Sequence, residues 1–120
     1  MSADRPADQP RHGYFDPNHL EHFAKMGEAR PELAEKFFDY YGAVMGDGAL
    51  TKREKSLMAL AVAHAIQCPY CIDAYTTGCL EAGANPEQMR EAVHVAAAMK
   101  AGITLVHSVQ MSNRLDEMML

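Results

Sequence analysis

Apolar residues recur along this chain every three or four positions, in blocks punctuated by proline and glycine, and no segment alternates as a strand would. Leu20, Phe23 and Ala24 share one side of a short helix predicted from Pro17 to about Met26. Asp16 caps it, Pro17 takes the first helical position and Gly27 stops it. Pro31 opens a second helix with Leu33, Ala34, Phe37, Phe38, Tyr41 and Val44 at helical spacing, and Gly42, Gly46 and Gly48 then predict a loop. Thr51-Lys52-Arg53-Glu54 reads as a capping box. The helix it starts runs to about Gln67, with Leu57, Met58, Ala61, Ala65 and Ile66 as its inner stripe. Ala59, Ala61, Ala63 and Ala65 are small enough to let another helix approach closely. Pro69 breaks that helix at Cys68 and opens the next, which runs to about Glu81 and is closed by Gly83. Asn85-Pro86-Glu87-Gln88 is a second strong start signal. Its helix carries Met89, Val93, Ala96, Ala97 and Met99 and is interrupted at Gly102. Ile103 to about Arg114 forms a last helix, with Leu105, Val106, Val109 and Gln110. The class is all-α. Residues 1–13 are expected to form a flexible arm and residues 14–120 a single helical domain.

Composition narrows the function classes. At 120 residues the chain is long enough to bury a core without cross-links. A net charge of −5 disfavours nucleic acid as a partner. No apolar run approaches the ~20 residues of a membrane span, and the polar start does not read as a secretory signal. Three cysteines, an odd number, argue against a secreted disulfide framework. A cytoplasmic setting is expected, where a close cysteine pair is catalytic or metal-binding more often than structural. The nine methionines suit irregular helix packing, or else a pocket or subunit interface.

The chemistry centres on Cys68-Pro69-Tyr70-Cys71. With Pro69 opening a helix, Cys68 is its cap and Cys71 lies in its first turn, both near the positive end of the dipole that favours a thiolate. Three-residue spacing brings the sulfurs onto one face, within reach of a disulfide. Three readings follow: a redox dithiol, half of a zinc site, or two inert thiols. His64, one turn before Cys68, can exchange protons with a thiol or a leaving group, or be a satisfied interface histidine. Tyr75, one turn after Cys71, can donate a hydrogen bond to a thiolate or peroxide oxygen, or pack in the core. Tyr70 lines or shields the pair, and Asp73 suits the helix start as a solvated charge. Cys79 is either buried packing or a spare thiol. Glu54 completes the capping box. His94 and His107 lie far off in sequence and read as interior or interface residues.

Glu54-Lys55-Ser56-Leu57-Met58-Ala59-Leu60-Ala61-Val62, followed by the Cys pair, resembles the alkylhydroperoxidase D core of the carboxymuconolactone decarboxylase-like superfamily. Leu80-Glu81-Ala82-Gly83-Ala84, Glu91 to Ala97 and Ala101-Gly102 fit the same core, so the resemblance spans about residues 50–110. It implies a helical homo-oligomer, a trimer or hexamer, without cofactor or metal. It further implies a hydroperoxide or a thiol or disulfide compound as substrate, and a dithiol electron donor. The resemblance makes Cys71 the peroxidatic sulfur and Cys68 the resolving one. Two positions depart from the pattern. Tyr75 stands where the family has histidine, and Ser56 stands where it has an acid, with Glu54 two residues earlier. His64 is the expected substitute for the missing imidazole. The run from Cys68 to Thr76 is similar to a subgroup of arsenosugar biosynthesis-associated peroxidase-like proteins. The alternatives are a disulfide reductase, or a thiol-based binder of As(III) or another soft metal with Cys79 as third sulfur.

Overall fold

The computed structural model describes residues 16–120. The expected arm over residues 1–13 lies outside the described residues. Helices dominate and, among the described residues, no strand occurs. A 3-10 helix, Pro17–Gly27, is followed by α1 (Pro31–Met45), α2 (Lys52–Ala65), α3 (Pro69–Glu81) and α4 (Pro86–Met119). The chain divides into two compact units, Met1–Val44 and Met45–Leu120.

In the first unit Asp16 caps as expected, its Oδ1 accepting from the Asn18 amide at 3.0 Å. The turns that follow close on i→i+3 bonds, as at His19 N to the Asp16 carbonyl, so the segment is a 3-10 helix. Phe23 meets Phe38 edge-on at 5.4 Å and lies 6.0 Å from Phe37, while Phe37 reaches Tyr41 at 5.7 Å. Gly27 is a close-approach position: a Cβ there would lie 2.6 Å from that of Ala34. The loop expected at Gly42 begins later, because α1 continues through Gly42 to Met45.

In the second unit α2 packs against both α3 and α4, which touch each other only slightly. The capping box forms as predicted: Glu54 N donates to Thr51 Oγ1 at 3.1 Å, and Thr51 N donates to Glu54 Oε1 at 2.9 Å. Asp47 accepts the Lys52 amide, and Lys55 Nζ reaches the Gly46 carbonyl, tying the preceding loop to the helix start. The buried face of α2 is Ser56, Leu60 and Ala63, and the predicted stripe holds only in part, with Met58 and Ile66 exposed. Leu60, 2% exposed, and Cys79, fully enclosed, form the core with Ala84, and Leu57, Tyr75 and Met89 pack around them. Burying Leu60 is worth roughly 1.5–3 kcal/mol. Ala63 on α2 and Ala96 on α4 are buried too, as small residues at a close helix approach should be.

Two expectations about the last third of the chain are corrected. Gly102 does not interrupt the helix; α4 runs unbroken for 34 residues. A helical glycine costs only about 1 kcal/mol against alanine, and no proline stands nearby to remove a hydrogen bond. Continuity also gives α4 the length and composition of a bilayer-crossing helix, with an 18-residue window of mean hydropathy 1.3, although Lys100 falls within its apolar stretch. The core that the chain buries is thin. Among the described residues the buried apolar positions are Leu60, Ala63, Cys79, Ala84 and Ala96, whereas Leu105 and Val106 on α4 are 70% and 69% exposed.

Candidate active site: the cysteine pair between two helices

Cys68 joins two helix ends through two different groups. Its amide N donates to the Ala63 carbonyl at 3.0 Å, while the Gln67 amide donates to the His64 carbonyl at 3.2 Å. These bonds complete a Schellman turn that ends α2. The left-handed residue in that turn is Gln67, at φ 58°. The same turn ends α3, where Ala84 N donates to the Cys79 carbonyl at 2.9 Å and Gly83 holds the left-handed place at φ 91°. Glycine fits there without a Cβ conflict, while glutamine before the cysteine pair does not. Cys68 Sγ then caps α3, accepting from the Cys71 amide at 3.3 Å. Pro69 follows in the first helical position, where its missing N–H is no loss.

The two sulfurs are hydrogen-bonded at 2.9 Å and both are free thiols, half-buried. An S–H can donate in either direction across such a contact. The Cys71 amide decides the matter, because it donates to Cys68 Sγ and favours charge on that sulfur. The hydrogen bond from the Cys71 side chain, then that from its amide, hold the Cys68 thiol below its ordinary value. Burial, then the hydrogen bond to Cys68, push the Cys71 thiol up to about 11. The pair is therefore asymmetric: Cys68 gives up its proton before Cys71 does.

The other predicted residues fall in different places. His64 is half-buried on α2, and its Nδ1 lies 2.8 Å from the carbonyl of Leu60 on its own helix. A carbonyl only accepts, so Nδ1 carries hydrogen and Nε2 is left for other partners. The Tyr75 ring packs against the Leu60–Cys79–Ala84 core, as its packing reading expects. Glu54 is engaged in the cap of α2, where the Thr51 backbone and then its side chain hold the carboxyl below its usual range. Ser56 is buried. Cys79 is wholly enclosed, and burial pushes its thiol up. Eight residues of helix separate it from Cys71, a rise of ~12 Å, too far for both sulfurs to hold one ion. His94 and His107 lie on α4 and both are exposed, so neither is an interior residue of this chain, and among the described residues no group of three or more His, Cys, Asp or Glu is placed to hold a metal.

Two residues at this junction escaped the sequence reading. Gln67 carries the left-handed turn, and a glutamine gives no glycine-like signal for it. Lys100, on α4, donates from Nζ to the Ala65 carbonyl at 3.1 Å. Its signal was available: it is the single Lys, Arg, Asp or Glu between Glu91 and Arg114.

A family model described as the carboxymuconolactone decarboxylase family matches residues 31–113. A curated relative, "Uncharacterized protein 4 in cox locus" of Paracoccus denitrificans, is 42% identical over 97 residues, covering 78% of this chain and 87% of the relative. Among solved structures, a protein from Methanobacterium thermoautotrophicum aligns with a TM-score of 0.66 at 36% identity, covering 70% of this chain and 94% of that one. The apo form of a carboxymuconolactone decarboxylase family protein from Legionella pneumophila aligns with a TM-score of 0.64 at 33% identity, covering 77% and 82%.

Proposed function

The chain belongs to the carboxymuconolactone decarboxylase family, and on that footing we propose that it is a thiol-dependent peroxidase-like oxidoreductase working through Cys68 and Cys71. One observation carries the reading: Cys68 Sγ caps α3 while hydrogen-bonded to both the amide and the sulfur of Cys71. The Cys68 thiolate attacks the outer oxygen of a hydroperoxide. An S–O bond forms, the O–O bond breaks, and the departing alkoxide takes a proton to leave as alcohol. Cys71 then gives up its proton and attacks the sulfenic sulfur of Cys68, which releases water and closes the disulfide. Two electrons pass from the thiol pair to the peroxide, and a small dithiol returns them by exchange. This order reverses the one implied by the family resemblance, since the amide support falls on Cys68. His64 Nε2 is the proposed proton source for the departing oxygen, its ring held through Nδ1. Tyr75 is assigned a lesser, hydrogen-bonding part, because its ring already serves the core.

The same pair can reduce a disulfide, and the resemblance of the run from Cys68 to Thr76 to arsenosugar biosynthesis-associated peroxidase-like proteins makes an arsenic-bearing thiol compound one substrate to try. A three-sulfur arsenical site has no support, given the enclosed Cys79. A reducing, cytoplasmic setting follows from the chemistry proposed. We further propose a homo-oligomer, a trimer or hexamer, supported by the thin core and by the exposed Ile103, Leu105, Val106 and Val109 of α4. Light scattering coupled to gel filtration tests that assembly, and a monomer at micromolar concentration would refute it.

The function is tested by alkylation and intact mass on fully reduced protein, before and after one equivalent of an organic hydroperoxide. Rapid loss of two thiols, with the linkage mapped to Cys68 and Cys71, is the expected result. In the single variants, Cys71→Ser should accumulate a trappable sulfenic acid at Cys68, and Cys68→Ser should not do so at Cys71. Free thiols after prolonged exposure would remove hydroperoxide as the substrate.

A further inference from the structure

The apolar stretch of α4 holds one charge, Lys100, and that charge reaches 35 residues back along the chain to the carbonyl of Ala65. The recipient is informative. The last carbonyls of a helix have no partner within it. In α2 the Schellman turn takes up those of Ala63 and His64. Ala65 comes next, three residues before Cys68, and Lys100 supplies its donor. Two helix ends of opposite sign meet at Cys68: the negative end of α2 and the positive end of α3. The first opposes a thiolate on Cys68 and the second favours it. An ammonium bonded to the Ala65 carbonyl offsets the first and leaves the second to act.

We propose that Lys100 is a positioning residue for the dithiol, anchoring the turn between α2 and α3 to α4 and offsetting the negative end of α2 so that Cys68 reacts as a thiolate. The proposal rests on Cys68 being the attacking sulfur. Within four residues of the Cys68–Cys71 pair or of Lys100 along the chain, the titratable or charged groups besides Cys68 are Cys71, Tyr70, Asp73 and Tyr75 on α3, His64 on α2 and Lys100 itself on α4. Of these, only Lys100 and a protonated His64 bring positive charge. Arginine at position 100 keeps both the charge and the donor, glutamine keeps a donor without charge, and methionine keeps neither.

The test is the rate of iodoacetamide alkylation at Cys68, located by peptide mass, as a function of pH in the full chain and in Lys100→Met, Lys100→Gln and Lys100→Arg. Lys100→Met and Lys100→Gln should move the Cys68 midpoint up by about half a pH unit, slowing alkylation at neutral pH about threefold, with Lys100→Arg close to the parent. Should Lys100→Met fail to fold, Lys100→Gln, which retains a donor for Ala65, gives the same reading. A midpoint unchanged in the neutral variants would overturn the proposal even if their melting temperature fell, because Lys100 would then serve stability alone. An equal shift in Lys100→Arg would overturn it as well. Alkylation involves no peroxide, so failure of the peroxidase reading leaves this test intact.

Discussion

Replacing Gln67 by glycine should make the protein more stable, although the residue stands beside the proposed active site. Gln67 is exposed and sits at φ 58°. Left-handed backbone costs a residue with a Cβ roughly 1–2 kcal/mol. Glycine removes that cost, but it also loosens the unfolded chain, which returns about 0.4–1 kcal/mol. The expected net gain is about 0.5–1 kcal/mol, or ~2–6 °C in Tm for a domain of this size. Thermal unfolding followed by circular dichroism, at one protein concentration so that association does not confound the comparison, measures it. Gln67→Val is the companion, since a β-branched side chain tolerates this region worst and should lower Tm. A Gln67→Gly variant that melts at or below the parent, with Gln67→Val unchanged, would refute the strain argument. The thiols supply a second readout. Glycine frees the turn that aims Cys68 at α3, so the more stable variant should alkylate more slowly at Cys68.

Further outcomes follow from the same geometry. Below about pH 9 alkylation should fall mainly on Cys68, and Cys71 should react fully only toward about pH 11, as peptide mapping across pH would show. The linked stability changes have opposite signs. As pH rises from the lowered Cys68 value to the unfolded thiol value, the unfolded chain holds the extra proton and stability increases. From there to about 11 the folded chain keeps the Cys71 proton and stability declines, which urea titrations at fixed pH would detect. Cys79→Ser puts a hydroxyl into an enclosed site and should cost about 1–3 kcal/mol in urea unfolding, with Cys68 and Cys71 reacting as before. Gly27→Ala forces a Cβ to within 2.6 Å of Ala34 and should cost about 1–3 kcal/mol, seen as faster amide exchange within the segment from Pro17 to Met45.

Helix starts were the most legible part of this chain, because each depends on a side chain and a few neighbouring amides. Asp16-Pro17, the Thr51–Glu54 box, Cys68-Pro69 and the Asn85–Gln88 box all open helices where the residues indicate. Helix ends were harder. The stop at Gly83 holds because a left-handed turn requires it, whereas Gly42 and Gly102 are simply carried through by the helices around them. In α2 the many alanines make several faces equally apolar, so the choice of Ser56, Leu60 and Ala63 as the inner face had to come from α3 and α4. The cysteine pair was found from its spacing and its proline. Its asymmetry was not, since that depends on one amide pointing at one sulfur. Nor does local pattern pair Lys100 with Ala65 across so much chain.

The cap that Cys68 provides for α3 bears on the direction in which electrons flow. A charged sulfur accepts strongly from the Cys71 amide, whereas a sulfur tied into a disulfide accepts weakly. The start of α3 therefore stabilises the reduced pair more than the oxidised one. A dithiol whose reduced form is favoured has a higher reduction potential, so its disulfide is the stronger oxidant. In the cycle we propose, the oxidised protein would for that reason be the more readily reduced by a dithiol, and a helix cap would set the ease of that half-reaction.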